Sequence, residues 1–188
     1  NNLAKTYLSI IKLEKAEEYC QLALKTREED SFKKILSMIN FYKRDFKKAW
    51  SYFDGRLGLN EFITRNESYE LIKIKLLNNK KINSNKKLLI IREQGVGDEI
   101  LYGSIYEDLL NTYTDVVIES DERLLPIFLN SFKKKHHNKF VKLGFISNNL
   151  EKLESFNQVL YAGSLGYYFR NNINDFLKKE YLKIPQDK

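Results

Sequence analysis

One stretch of the sequence, residues 88–100, constrains the fold more than any other because an apolar run stops abruptly at a two-glycine turn. The run Leu88–Ile91 is short and uninterrupted, as in a strand buried on both faces of a parallel sheet. After the Gly-Val-Gly turn, apolar residues recur at helical spacing from Asp98 to Thr112. This pattern predicts a buried parallel strand that feeds a helix through a tight loop. Open α/β sheets bind their ligands at such loops.

Further apolar runs alternate with helical patterns along the rest of the second half. The predicted strands are Val116–Glu119, Phe140–Leu143 and Val159–Tyr161, and the predicted helices are Leu124–Phe132, Asn149–Phe156 and Asn174–Glu180. Strands that alternate with helices form right-handed crossovers and a parallel sheet. We therefore predict a Rossmann-like α/β domain over residues 86–188.

The first half is patterned differently, with apolar residues at the spacing of amphipathic helices. Residues 1–57 contain two stretches related by a shift of 33, in which small and aromatic positions coincide. The matched pairs are Ala4 with Ser37, Ala16 with Ala49, Tyr19 with Tyr52, and Cys20 with Phe53. Small residues at matched positions let two helices approach closely. We predict a helical domain over residues 1–80 and a polar linker over residues 78–87, and a generic helical hairpin is the alternative to a true repeat.

The charge distribution argues against a nucleic-acid partner although the formal net charge is +7. Residues 1–85 hold 17 basic and 11 acidic residues, whereas residues 86–188 hold 15 and 14. The excess lies where lysine and glutamate are interleaved at helical spacing, which is typical of a solvated helix face. No arginine-rich run accompanies it, so we expect no nucleic-acid site.

The remaining composition excludes several other classes. A single cysteine, Cys20, rules out internal disulfides and favours a reducing cytoplasm. No apolar run reaches the roughly 18 residues of a membrane span. His136 and His137 lack a supporting cysteine cluster, so we expect no metal site. Because Met38 is the only methionine and the sequence begins at Asn1, we expect the chain to be a fragment of a longer product.

The loop after the first strand invites a dinucleotide interpretation that its residues do not satisfy. Gly95 and Gly97 fit the first two glycines of that motif, but Ile100 occupies the position of the third. Acidic residues at 98 and 99 would also repel a pyrophosphate at the helix terminus. Glu119, after the second strand, resembles the acid that binds the ribose, so the dinucleotide alternative stays open. A P-loop is excluded because no Gly-Lys-Ser/Thr follows.

Two roles remain for Asp98 on the residues alone. It is either the N-cap of the following helix or a general base that faces a cleft. In the second role, Gln94, Gly95 and Gly97 shape the loop and orient a polar ligand. The two roles are compatible because a capping carboxylate keeps a second oxygen.

Several motifs together resemble a known family. They are Glu93–Ile100, Val117–Leu124, Pro126–Phe128 and Ala162–Arg170. These stretches resemble the first glycosyltransferase domain of bacterial tetratricopeptide-repeat proteins, which are related to the heptosyltransferases and more distantly to the O-linked N-acetylglucosamine transferases. The period near 34 with small and aromatic positions resembles the tetratricopeptide repeat. The order of repeats and domain is also the one found in that family.

The resemblance implies a GT-B architecture in which a second domain, not found in this sequence, holds the nucleotide-sugar donor. It implies that Asp98 deprotonates a hydroxyl of a protein or glycan acceptor, and that Ser164 and Arg170 line the acceptor side of the cleft. We expect no cofactor in this chain and no activity from it alone. The alternative is a non-catalytic scaffold whose helical repeats bind a peptide.

Overall fold

The structure is a computed structural model of the chain. It describes residues 2–26, 29–65, 69–77, 80–93, 95–145, 150–176 and 180–184. The chain divides into two compact units, which we call the helical unit and the sheet unit. The helical unit comprises Asn1–Arg65 and Arg170–Phe176, and the sheet unit comprises Asn66–Phe169 and Leu177–Lys188.

The helical unit is built from short amphipathic helices. They are α1 (Asn2–Ser9), α2 (Leu13–Thr26), α3 (Asp30–Tyr42), α4 (Phe46–Phe53) and α5 (Asn60–Arg65). Helices α1 and α2 pack as one hairpin and α3 and α4 as a second, and α2 contacts α3. Ala4, Ala16 and Cys20 of the first hairpin are buried in one apolar cluster with residues of α3.

The shift of 33 found in the sequence is also present in the backbone. Ile11 and Arg44, which are 33 positions apart, each turn the chain between two helices with a left-handed φ, 56° and 59°. Left-handed backbone is costly for a residue with a side chain, so its recurrence at matched positions is informative. The backbone hydrogen bonds around both turns match, from Lys12 N to Tyr7 O at 2.9 Å and from Asp45 N to Asn40 O at 3.0 Å. The turns of the two hairpins therefore share one backbone conformation at positions 33 residues apart.

The described residues of the sheet unit form four strands flanked by helices. The strands are β1 (Leu88–Ile91), β2 (Val116–Ser120), β3 (Phe140–Lys142) and β4 (Gln158–Tyr161). The helices are α6 (Tyr69–Ile72), α7 (Val96–Gly103), α8 (Tyr106–Thr112), α9 (Leu125–Ser131), α10 (Leu150–Glu154) and α11 (Gly166–Phe169).

The four strands form one parallel sheet in the order β3-β2-β1-β4. Strands β1 and β4 are buried along their whole length, which explains why both are uninterrupted apolar runs or nearly so. The order in which strands are added reverses at β1. Strands β2 and β3 are added on one side of β1, and β4 is added on the other side. The predicted fold class, α + α/β with helical hairpins followed by a parallel sheet, is confirmed.

The long helix predicted from Asp98 to Thr112 is wrong, because two helices, α7 and α8, occupy that span. The break follows Gly103, where the Ser104 hydroxyl donates to the Leu101 carbonyl at 2.6 Å and tightens the last turn. A Cβ on Gly103 would lie only 3.0 Å from the Phe128 ring. Close packing against α9 therefore fixes this end of α7.

The unit boundary differs from the predicted linker over residues 78–87. Residues 78 and 79 lie outside the described residues, but Ile82 is buried in the sheet unit. The Gln158 side chain accepts from Asn83 N at 2.7 Å and donates to Asn83 O at 2.9 Å. The segment around Asn83 is therefore hydrogen-bonded to β4, and the division into units falls near residue 65.

The helix predicted from Asn174 to Glu180 is also wrong where the structure describes it. A single 3-10 turn, Ile173–Asp175, ends at Phe176 in extended backbone, and Glu180 is not helical. Asp175 accepts from Asn172 N at 2.7 Å, which closes the turn on itself. Residues 177–179 lie outside the described residues.

Residues 180–184 lie against two helices of the sheet unit. The Tyr181 hydroxyl donates to the carbonyl of Ile100 in α7, and Lys183 N donates to Ser131 Oγ in α9 at 2.8 Å. Among the described residues, no helix combines the length and hydropathy needed to cross a bilayer.

Candidate functional site

The carboxyl ends of β1 and β4 bring two loops together at one edge of the sheet. Both strands run parallel and are hydrogen-bonded neighbours, so the loops that follow them start side by side. The buried Glu93 carboxylate accepts from Gly163 N at 2.5 Å, which joins the loop after β1 to the loop after β4. The prediction that these loops share an edge is confirmed. Ligands of open α/β sheets bind where the strand order reverses, and this is such a place.

Asp98 lies at this edge as the third residue of α7. The helix begins at Val96 with Gly95 as its N-cap residue, so the prediction that Asp98 is the N-cap is wrong. The Asp98 Oδ2 atom accepts from Gly95 N at 3.2 Å, which closes the first turn. The residue is half-buried, and within the described part of the chain its Oδ1 atom accepts no hydrogen bond.

The two glycines of the loop are not required by the fold of this chain. Gly95 has an ordinary φ of −99°, and Gly97 lies within α7. A Cβ on Gly97 would meet nothing within 4 Å, whereas a Cβ on Gly103 in the same helix would crowd Phe128. Both loop glycines are exposed. The backbone at Gly97 is therefore open to close approach by another molecule.

Glu99, the neighbour of Asp98, is fully buried and points toward the sheet. Its carboxylate accepts from Arg92 Nε at 2.9 Å, from Ser120 Oγ at 2.6 Å and from Asp121 N at 3.0 Å. A buried carboxylate is tolerated only when it is paired and hydrogen-bonded, as here. The first turn of α7 is thereby fixed to the carboxyl ends of β1 and β2.

The Glu119 carboxylate is already hydrogen-bonded to the backbone of the protein. Its Oε1 accepts from Gly144 N at 3.0 Å and from Phe145 N at 3.2 Å, in a turn where Gly144 has a left-handed φ of 84°. Burial raises the pKa of Glu119 to about 7, although both backbone donors and the nearby Arg92 act in the opposite direction. A dinucleotide ribose would compete with these bonds, which weighs against the dinucleotide alternative.

The other predicted site residues are placed as follows. Gln94 lies outside the described residues. Ser164 lies at the predicted edge, in a 3-10 turn after β4, but it is buried. Arg170 is buried in the helical unit, where its carbonyl accepts from Trp50 Nε1 at 2.7 Å.

Other chemistries find little support among the side chains described. In that part of the chain, no group of three or more His, Cys, Asp or Glu residues is arranged to hold a metal ion. Burial raises the pKa of the Cys20 thiol to about 11, so this cysteine is protonated at neutral pH and a poor nucleophile.

Sequence reasoning missed the supporting residues of the site, namely Arg92, Glu93, Glu99, Ser120 and Asp121. A signal was present, because polar pairs follow directly after the apolar runs of β1 and β2. The carboxyl ends of parallel neighbours meet at one edge, so such pairs predict a polar cluster there.

Comparison with protein-family models, with curated proteins and with solved structures finds no match to this chain.

Proposed function

We propose that the sheet unit is the acceptor half of a GT-B glycosyltransferase and that Asp98 is its general base. The observation that carries the proposal is the placement of Asp98. It is half-buried at the carboxyl edge of the sheet, beside an exposed Gly97, with one carboxylate oxygen engaged by its own loop. The resemblance of residues 93–100 to glycosyltransferases supplies the reaction class.

In this reaction, Asp98 takes the proton of an acceptor hydroxyl while that oxygen attacks the anomeric carbon of the donor. The new bond joins the acceptor oxygen to the sugar, and the bond that breaks joins the sugar to the nucleoside diphosphate, which leaves with the electron pair. A positioned base of this kind contributes a rate factor of roughly 10²–10⁴.

The surrounding residues position Asp98 rather than react. The Arg92–Glu99 pair fixes the first turn of α7, and the Glu93–Gly163 hydrogen bond fixes the adjacent loop. Small displacements of a catalytic group cost rate steeply, so a rigid support below the base is expected. We propose that a second domain supplies the nucleotide-sugar donor, that the acceptor is a protein or glycan, and that the protein acts in the cytoplasm.

The proposal is tested by measuring nucleoside diphosphate release from a panel of nucleotide sugars with candidate acceptors, using the protein expressed together with its donor domain. We expect Asp98→Asn to lower kcat by at least about 100-fold. Gly97→Ala should also lower activity while leaving the fold intact, because its Cβ has open space. Asp108→Asn is the matched control, since Asp108 lies in the first turn of the neighbouring helix α8.

Equal activity of the Asp98→Asn and Asp108→Asn variants would exclude Asp98 as the base. A loss of activity in the Asp98 variant accompanied by loss of the folded state would not support the proposal, so circular dichroism accompanies each measurement.

A second candidate function is peptide binding by the helical unit. A groove of about 640 Å³ runs along α1, α3 and the start of α5, and its lining includes Leu8, Ile35, Met38 and Tyr42. Met38 and Tyr42 are exposed there although both are large and apolar in part. Tetratricopeptide repeats present such a surface to extended peptides, and this is the scaffold alternative. Met38→Glu would abolish capture of a peptide ligand and leave sugar transfer to a small acceptor unchanged.

A further inference from the structure

Arg123 is an exposed side chain that the protein nevertheless holds in one orientation. Its Nε and Nη2 atoms donate to the two carboxylate oxygens of Asp121, each at 2.9 Å. The Arg123 side chain is 74% exposed, whereas that of Asp121 is 10% exposed. A two-point contact of this kind fixes the plane of the guanidinium.

Asp121 is itself held in place by contacts with Glu99 and Arg92. Its backbone N–H donates to the buried Glu99, and Arg92 Nη1 lies 4.0 Å from Asp121 Oδ2. The hydrogen bonds from Arg123 hold the pKa of the Asp121 carboxyl well below its usual range, so the pair stays ionised. The same buried network therefore supports both Arg123 and the first turn of α7.

The orientation leaves donors that point away from Asp121. A guanidinium has five N–H donors, and the pair with Asp121 uses two of the side-chain donors. In the part of the chain that the structure describes, no other acceptor of the Arg123 side chain is recorded. A long side chain loses rotamer entropy when it is ordered, and here the pair with Asp121 has already ordered it before any ligand binds.

The position of Arg123 in the sheet unit places its guanidinium where a ligand is expected. It follows β2 at the carboxyl edge of the sheet, the edge at which Asp98 follows β1. Ligands of such sheets lie across that edge. An ordered guanidinium recognises phosphate and carboxylate groups better than any other side chain.

We propose that Arg123 binds an oxyanion, a phosphate or a carboxylate, carried by the acceptor. The identification of that molecule as the acceptor rests on the proposed function, but the oxyanion site itself does not. The remaining source of the same chemistry is the diphosphate of the donor, and the experiment separates the two.

The test is a titration of the 188-residue chain with inorganic phosphate, with acetate and with a nucleoside diphosphate, at low salt, followed by the amide NMR signals of residues 121–125 and 95–99. We expect saturable binding of phosphate or acetate in the millimolar range. Arg123→Gln should weaken it at least tenfold, and Arg123→Lys, which keeps the charge without the fork, should weaken it severalfold.

Lys142→Gln is the matched control, because Lys142 is an exposed cation at the end of the neighbouring strand β3, and its side chain pairs with Glu122 at 3.4 Å. The affinity of the Lys142→Gln variant for phosphate and acetate should stay within twofold of that of the native chain. The Arg123→Lys variant also separates a loss of binding from a loss of fold.

Unchanged phosphate and acetate binding in Arg123→Gln, or no binding in the native chain, overturns the oxyanion site. Much tighter, Arg123-dependent binding of the nucleoside diphosphate overturns its assignment to the acceptor. Neither result depends on sugar transfer, so failure of this proposal is distinguishable from failure of the role given to Asp98.

Discussion

The two units of the protein treat acidic side chains in opposite ways. In the described residues of the helical unit, acidic side chains keep some exposure, as when Glu17, whose side chain is 16% exposed, accepts from Lys43 and from Lys48 of the second hairpin. Where the structure describes it, the sheet unit instead buries four acidic residues, namely Glu93, Glu99, Glu119 and Asp121. All four lie at or just beyond the carboxyl ends of β1 and β2.

The difference separates stability from function. Surface pairs contribute little to folding, so the helical unit depends on its repeated apolar contacts. Buried carboxylates are costly unless every partner is in place, and natural proteins concentrate such costs at functional sites. The carboxyl edge of the sheet is therefore the part of the chain with the strongest structural indication of a function.

The largest effect is expected from removing the centre of the buried network. Glu99→Ala removes the buried acceptor of Arg92 Nε, Ser120 Oγ and Asp121 N and should lower the free energy of unfolding by about 3–5 kcal/mol. Urea unfolding measures it, with the exposed Glu107→Ala on α8 as the control, expected within about 0.5 kcal/mol of the native chain. A loss below about 1 kcal/mol for Glu99→Ala would show that the network is not critical for the fold.

An effect nearly as large is expected from pH, through Glu119. Its pKa is about 7 in the folded chain against an ordinary value of 4.5, so the folded state holds this proton more tightly than the unfolded state. The contribution of Glu119 to stability is therefore greatest below pH 4.5 and is lost as the pH rises to 7, by roughly 3 kcal/mol.

Glu119→Gln keeps an acceptor for Gly144 N and Phe145 N but cannot ionise. The free energy of unfolding of this variant, relative to the native chain, should rise between pH 4.5 and 7 and then level off. Glu122→Gln, which removes an exposed carboxylate just beyond the same strand, is the matched control. Parallel profiles for Glu119→Gln and the native chain would contradict the assignment.

The smallest effect belongs to the helical unit and tests its repeat. Ile11→Gly and Arg44→Gly should each raise the free energy of unfolding by about 1 kcal/mol, because glycine adopts left-handed backbone without strain. Ser9→Gly, in the right-handed backbone of α1, should lower it by about 0.5–1 kcal/mol. Opposite signs for Ile11→Gly and Arg44→Gly would show that the two hairpins are not equivalent.

The sequence predicts the four strands to within one residue at each end, because each contains at least two adjacent apolar residues between polar segments. It also predicts the helical hairpins, since small residues such as Ala16 and Ala49 recur at helical spacing and are buried between helices. Left-handed backbone is usually predicted from a glycine. Ile11 and Arg44 are not glycines, so their left-handed backbone could not be predicted from the sequence.

The buried role of Glu99 could not be predicted from hydrophobic patterning, which assigns a charged residue in the first helical turn to solvent. Its burial depends on Arg92 and Ser120, which the fold brings to it from two different strands. The break between α7 and α8 at Ser104 could not be predicted for a similar reason. It follows from the contact of Gly103 with Phe128, a residue of another helix.

The hydrogen bond from Tyr181 to Ile100 links the downstream chain to the helix that carries Asp98. Ile100 is two residues beyond Asp98 in α7. The segment around Tyr181 and the first turn of α7 are therefore coupled through one hydrogen bond, and a ligand that moved Tyr181 would act on the same helix as a ligand that bound at Asp98.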